Sequence, residues 1–204
     1  MLALESRNAA EDDAALRTAG LGGFDLFQFE RAGSRGDGTP VKVGFSIAYA
    51  SDPNAPDVGF FVCQQHHPEN FWDQALQTHA NAATAIAAVV MVAENPADHH
   101  GFLSAFVGER DVAASSTGIT VPTPRGVIQI LDAAAFRMQF GVDPPDPRRG
   151  ARLAAMRVRD ARALRMQFDS GGMNAIEHMG RLIVGPASTH GAILVFEAGC
   201  VPRA

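Results

Sequence analysis

Thr84-Ala85-Ile86-Ala87-Ala88-Val89-Val90-Met91-Val92-Ala93, running directly into Glu94-Asn95-Pro96-Ala97-Asp98, is the stretch on which the reading of this chain turns. Its first ten residues are apolar and β-branched at the centre, the composition of a buried strand, and well short of the ~18 apolar residues that a membrane span requires. Asn95 then offers an N-cap and Pro96 the first helical position, so a helix is expected over Ala97 to Val107. That helix would turn Phe102, Leu103 and Phe106 inward and stop at Gly108. Strands are expected at Val112 to Thr117, Gly118 to Pro122 and Val127 to Leu131. The unit therefore reads β-α-β-β-β.

The same order stands on either side. Upstream, Met1 to Glu5 reads as a strand, Ser6 and Asn8 as possible N-caps, and Ala9 to Arg17 as a helix with acids in its first turn, Arg17 late and Gly20 as its stop. Phe24 to Glu30 is strand-like, Gly33 to Pro40 is a turn-rich connector with an Asp37-Gly38 hairpin signal, and Val41 to Ala50 alternates Val41, Val43, Phe45, Ile47 and Tyr49 on one face. After the loop Ser51 to Asp57, Val58 to Gln64 closes the unit. Downstream, Arg152 to Val158 is expected as strand, Asp160 as N-cap, Ala161 to Asp169 as helix and Gly171-Gly172 as stop. Strands at Asn174 to His178, Arg181 to Val184 and Ala192 to Glu197 follow.

Three similar units form an internal repeat of a motif that cannot bury its apolar face alone. The fold class is α+β, with repeated βαβββ units forming curved mixed sheets, helices on the outer face and the other face left to form a cleft. Residues 1–80 read as a single unit and 81–204 as a pair, 81–141 and 150–204. Asp143-Pro144-Pro145-Asp146-Pro147 is the plainest linker and His79-Ala80-Asn81-Ala82 the weaker boundary. One unit in three is left over, so the chain is expected to dimerise through its first unit or to expose an apolar sheet face.

Composition excludes several functions. The 204 residues are 47% hydrophobic and 19% charged, ample for a packed core. With 17 Lys+Arg against 22 Asp+Glu the net charge is -5, which argues against nucleic acid as a partner. The basic run Arg148 to Arg165 reads as a solvated face. No stretch suits a membrane or a signal peptide, and two cysteines, Cys63 and Cys200, make no disulfide scaffold, so a reducing, cytoplasmic setting is expected. No Gly-rich phosphate loop precedes a helix and no Gly-x-Ser-x-Gly elbow is present.

The βαβββ order resembles that of the glyoxalase-like proteins of the vicinal oxygen chelate superfamily. So do the phrases Gly59-Phe60-Phe61-Val62-Cys63-Gln64-Gln65-His66-His67-Pro68-Glu69-Asn70-Phe71-Trp72, Val92-Ala93-Glu94-Asn95-Pro96-Ala97-Asp98 and Gly191-Ala192-Ile193-Leu194-Val195-Phe196-Glu197. The resemblance covers nearly the whole chain, and its most specific part is the Cys-Gln-x-His-x-Pro-Glu-x-x-Trp phrase. It implies a cup-shaped sheet built from paired units around a small-molecule cavity, often with a divalent metal such as Zn, Fe, Mn or Ni. Glu197 falls where the resemblance places a last-strand metal ligand, and Gln65 in the corresponding part of the first unit. Ala88 and Ala155, however, occupy the first-strand ligand positions, and alanine coordinates nothing. Such relatives also open with a Leu-Asp-His strand and a helix; none stands here, so the first unit resembles the second half of a pair.

Around Gln64 and Gln65 the densest cluster of possible ligands gathers, with Cys63, His66, His67 and Glu69. Adjacent strand residues point to opposite faces, so both histidines cannot serve one ion without a bend at Pro68. Gln64, His66, Trp72 and His178 are candidates for contact with a small molecule, and Glu197 and Gln65 for metal. Cys63 reads as a small buried residue, His99-His100 as structural, and Phe60, Phe61, Phe102, Phe106, Phe136 and Phe140 as core or cavity wall. Two functions stay open. One is a metal-assisted lyase, isomerase or dioxygenase; the other is a metal-free binding protein of the bleomycin-resistance type.

Overall fold

Asn8 caps the first helix, α1 (Ala9–Thr18): its side chain accepts from the amides of Ala10 and Glu11, and Arg17 Nε reaches Asp13 Oδ2 one turn back at 2.8 Å. This computed structural model describes residues 1–72, 77–81, 83–108, 111–146, 152–159 and 164–197. The expected cap Asp160, the linker residue Pro147 and Cys200 lie outside them.

Before α1 runs β1 (Leu2–Glu5), and after it come β2 (Phe27–Ser34), β3 (Pro40–Ala50) and β4 (Phe60–Gln65). They form a four-stranded sheet in the order β1-β4-β3-β2, with β1 parallel to β4 and the rest antiparallel. Gly33 and Ser34, read as connector, belong to β2, because Gly33 pairs with Val41 and Ser34 with Pro40. The turn is confined to Arg35 to Thr39, where Gly38 takes a φ of 86° that a side chain would resist. A short helix α2 (Pro68–Phe71) follows β4.

The second unit holds β5 (Ile86–Val92), a 3-10 turn over Pro96–His99, α3 (His100–Val107), β6 (Ala113–Ser115), β7 (Gly118–Thr123) and β8 (Gly126–Leu131). Its strand order, β5-β8-β7-β6, repeats that of the first unit. Gly126 is required by the close approach of β8 to β5, since a Cβ there would stand 2.6 Å from the Ala87 carbonyl oxygen. Next comes an unforeseen helix, α4 (Ala133–Phe140), with Asp132 accepting from the Ala135 amide at 2.6 Å and Gly141 left-handed at its end. The third unit contains β9 (Arg152–Arg159), α5 (Leu164–Ser170), β10 (Ala175–His178), β11 (Arg181–Val184) and β12 (Ile193–Glu197). It repeats the order again, as β9-β12-β11-β10.

Second and third units join through their first strands. β5 pairs antiparallel with β9, giving one eight-stranded sheet in the order β10-β11-β12-β9-β5-β8-β7-β6. Alternation along β5 divides the core in two. Met91 and Ala93 turn toward α3, where Phe102, Leu103 and Phe106 meet Leu2, Leu16, Ala48 and Phe60 of the first unit in one cluster. Ala88, Val90 and Val92 turn the other way and are covered by Phe136 and Phe140 of α4, which also touches the cluster of Ile183, Ile193 and Val195. A third cluster packs Leu164 and Phe168 of α5 on Leu182, Val184 and Phe196. No helix among the described residues is long and apolar enough to cross a membrane.

Candidate functional site

Two sheet faces correspond to the cleft expected from the repeat, and they differ. On the eight-stranded sheet the face opposite α3 is filled. Phe136 and Phe140 are fully buried there, their rings 4.7 Å apart at the centroids, and Ala88 lies beneath them as core. The end of α4 is tied down by polar contacts: Gln139 Nε2 reaches Gln129 Oε1 at 3.4 Å, and His178 Nε2 lies 2.8 Å from the Met138 carbonyl oxygen. Arg181 sits between this helix end and the carboxylate expected as a ligand. Its Nη1 donates to the Gln139 carbonyl at 3.4 Å, and its Nε is 3.3 Å from Glu197 Oε2, with both side chains mostly buried.

On the four-stranded sheet the face opposite α1 is open. Register places Phe27 and Phe29 of β2, Phe45, Ile47 and Tyr49 of β3, and Phe61, Cys63 and Gln65 of β4 on it, with Ala3 and Glu5 of β1 at the margin. Large residues stand on this side because small ones, Gly44, Ser46, Ala48 and Ala50, alternate with them on β3 and let the sheet lie close to α1. The rings form a chain. Phe27 to Phe29, Phe29 to Phe45, Phe45 to Phe71 and Phe71 to Trp72 are separated by 5.6, 5.2, 5.6 and 5.2 Å. A second chain runs Phe24 to Tyr49 to Phe61 at 5.7 and 6.1 Å. Trp72 is 52% and Phe27 49% exposed, values foreign to packed aromatic residues.

Polar anchors stand inside this apolar field. Trp72 Nε1 donates to Gln65 Oε1 at 2.6 Å, which orients the amide and directs its nitrogen away from the indole. Cys63 is half-buried two residues earlier, and burial pushes its thiol pKa up, which lowers the share of thiolate at neutral pH.

The sequence candidates are thus distributed. Gln65 and Trp72 come together on the open face. Gln64 and His66 lie on the opposite side of the same strand end: Gln64 Oε1 accepts the Ala9 amide at 3.0 Å, and His66 Nε2 is 2.7 Å from Ser46 Oγ, which also accepts from Gln28 Nε2 at 2.9 Å. Beside them the Lys42 ammonium, 2.8 Å from Glu30, holds that carboxyl below its usual range. His178 and Glu197 belong to the other sheet. Glu197 and Gln65 thus stand on different sheets, and each has a partner, in Arg181 and Trp72 respectively. The residues present do not fit the metal site that the resemblance implies; among the described residues no group of three or more His, Cys, Asp or Glu could hold an ion. Phe27, Phe29 and Phe45 were missed as site residues. Their signal was the alternation of aromatic residues on two neighbouring strands, facing the side opposite α1.

Comparison with known proteins supplies the context. A family model described as a glyoxalase-like domain matches residues 1–107. No curated protein sequence matches the chain. Among solved structures, a hypothetical protein from Staphylococcus aureus is 12% identical and superposes with a TM-score of 0.63, covering 97% of this chain and 65% of that one. This chain thus spans 65% of that protein's length. Methylmalonyl-CoA epimerase from Mycobacterium tuberculosis is 14% identical, with a TM-score of 0.41 over 60% of this chain and 93% of its own. A glyoxalase/bleomycin resistance protein/dioxygenase from Nocardioides is 14% identical, with a TM-score of 0.26 over 67% of this chain and 98% of its own.

Proposed function

The chain belongs to the glyoxalase-like domain family, and from that premise we propose that it binds a flat, largely apolar organic molecule on the open face of its four-stranded sheet, without a metal. The observation that carries this reading is the chain of rings from Phe27 to Trp72 around the Gln65 amide. Aromatic faces stack on a planar ligand, and an oriented amide nitrogen donates to one oxygen on its edge. Such a surface favours sequestration over chemistry. Among the described residues that register places on the face, the thiol of Cys63 has its pKa raised by burial, and the carboxylate of Glu5 is exposed at the margin in an ion pair with Arg125 at 2.8 Å.

Trp72 is the only tryptophan in the chain, so its emission reports on this face alone. Titration with 2-naphthol as probe is expected to change that emission saturably, with EDTA leaving the curve unmoved. Phe29→Ser should weaken binding about tenfold, the loss of one stacked ring. No saturable change, or binding abolished by EDTA and restored by zinc, would overturn the reading.

A further inference from the structure

The rings beside Gln65 occupy only one end of the open face. Across its two central strands Phe45 stands beside Gln65, Ile47 beside Cys63 and Tyr49 beside Phe61. The first of these rows meets Phe29, Phe71 and Trp72. The last holds a separate aromatic group, with Phe24 of the preceding loop set edge-on to Tyr49 and the Tyr49 ring 6.1 Å from that of Phe61. Between the two groups Ile47 and Cys63 carry no ring, and Cys63 is the smallest side chain that β3 and β4 present here. Gln65 and Tyr49 stand four residues of extended chain apart along the sheet, about 13 Å. Each has a polar atom to spare. Trp72 uses the oxygen of the Gln65 amide and leaves its nitrogen, while the hydroxyl of Tyr49, a partly buried residue, bonds to no described residue and is not sealed from solvent.

We propose that the ligand of this face is a molecule of two flat aromatic halves joined by a narrow link, with an oxygen at each far end, and that Tyr49 is the residue that selects its length. This inference rests on the ligand-binding reading above and narrows it. One half stacks among Phe29, Phe45 and Trp72, with its oxygen accepting from Gln65 Nε2. The link crosses Ile47 and Cys63, where a thiol and an aliphatic side chain offer a slot but no ring to stack on. The other half lies against Phe61 and Phe24, and its oxygen meets Tyr49 Oη. A compact ring compound of one half's size gains one group of rings and one hydrogen bond. A two-part ligand of matching length gains both, and the hydroxyl of Tyr49 distinguishes the two because only the longer molecule reaches it.

Calorimetric titration of the full-length chain with 2-naphthol and with trans-4,4′-dihydroxystilbene tests this. The stilbene carries two phenol rings on a vinylene link with a hydroxyl at each end, whereas 2-naphthol fits one group of rings alone. The stilbene should bind about tenfold or more tighter than 2-naphthol. Tyr49→Phe keeps the ring and removes only the hydroxyl; it should weaken the stilbene about fivefold and leave 2-naphthol unmoved, which also shows that the variant is folded. A second readout sits at the waist. In a Cys200→Ser background, saturating stilbene should slow iodoacetamide labelling of Cys63, and saturating 2-naphthol should not. A stilbene no tighter than 2-naphthol, a Tyr49→Phe loss that is absent or equal for both compounds, or Cys63 labelling indifferent to the stilbene overturns the proposal. Where 2-naphthol still binds saturably in that case, the ligand-binding reading stands and this inference alone is lost; where neither compound binds, both fall.

Discussion

Glu197 shows how a strand carboxylate can be balanced by a side chain of the neighbouring strand. A carboxylate on an otherwise apolar strand is the natural metal ligand, but Arg181 of the neighbouring strand reaches it at 3.3 Å, and a fixed guanidinium supplies the positive charge that an ion would have supplied. Sequence could not reveal this, because the pairing depends on the register of β11 with β12 and on the unforeseen helix that Arg181 also contacts. Cys63, read as a small buried residue from its place in an apolar strand, is half-buried on the open face. Its raised pKa has a measurable sign. Burial disfavours the thiolate, so the ionised fraction at neutral pH falls below that of a free thiol, and ionisation is postponed to higher pH. In a Cys200→Ser background, iodoacetamide should label Cys63 more slowly than a cysteine peptide at pH 7.5. Its rate should still be climbing at a pH where the peptide's has levelled; a plateau at or below the peptide's would contradict the placement of Cys63.

At the scale of elements, helices announced by both a cap and a stop were legible at α1, whereas α4 was overlooked with the same signals present. Asp132 and Gly141 bracket Ala133–Phe140, but only eight residues separate them, and Phe136 and Phe140, read as core or cavity wall, stand four apart on that short span. The omission mattered because α4 decides which sheet face is available. It fills the eight-stranded sheet and leaves only the four-stranded one open. Phe140→Ala should cost about 3–5 kcal/mol of unfolding free energy, the range for deleting a buried ring, and Asp132→Ala about 1 kcal/mol through the lost cap. Urea denaturation followed by circular dichroism measures both. A Phe140→Ala loss below the Asp132→Ala loss would mean that α4 is a detachable lid rather than core.

For the molecule as a whole, the strand order was legible and the docking of the first unit was not. A count of units left one without a partner, but it could not show that the first unit's helix-bearing face shares a core with the second. The Phe60 ring of β4 lies 4.6 Å from that of Phe102, tilted against it, and 5.6 Å edge-on from that of Phe106, both from α3. Asp52, in the loop after β3, meets His99 Nδ1 at 2.6 Å in a pair almost wholly removed from water. Those two residues are 47 positions apart, and neither had a sequence partner that suggested the other. A buried hydrogen-bonded pair of this kind fixes one mutual orientation, because sliding the units would strand both polar groups without water. The two sheets should therefore unfold together. Trp72 belongs to the first unit and Phe102 to the second, so Phe102→Ala tests the coupling across the boundary between them. It should lower stability by about 3–5 kcal/mol and shift the urea midpoint read by Trp72 emission as far as the one read by far-UV circular dichroism. If the Trp72 transition stays at its wild-type midpoint while the other moves, the units are separate folding bodies and the shared cluster contributes little to either.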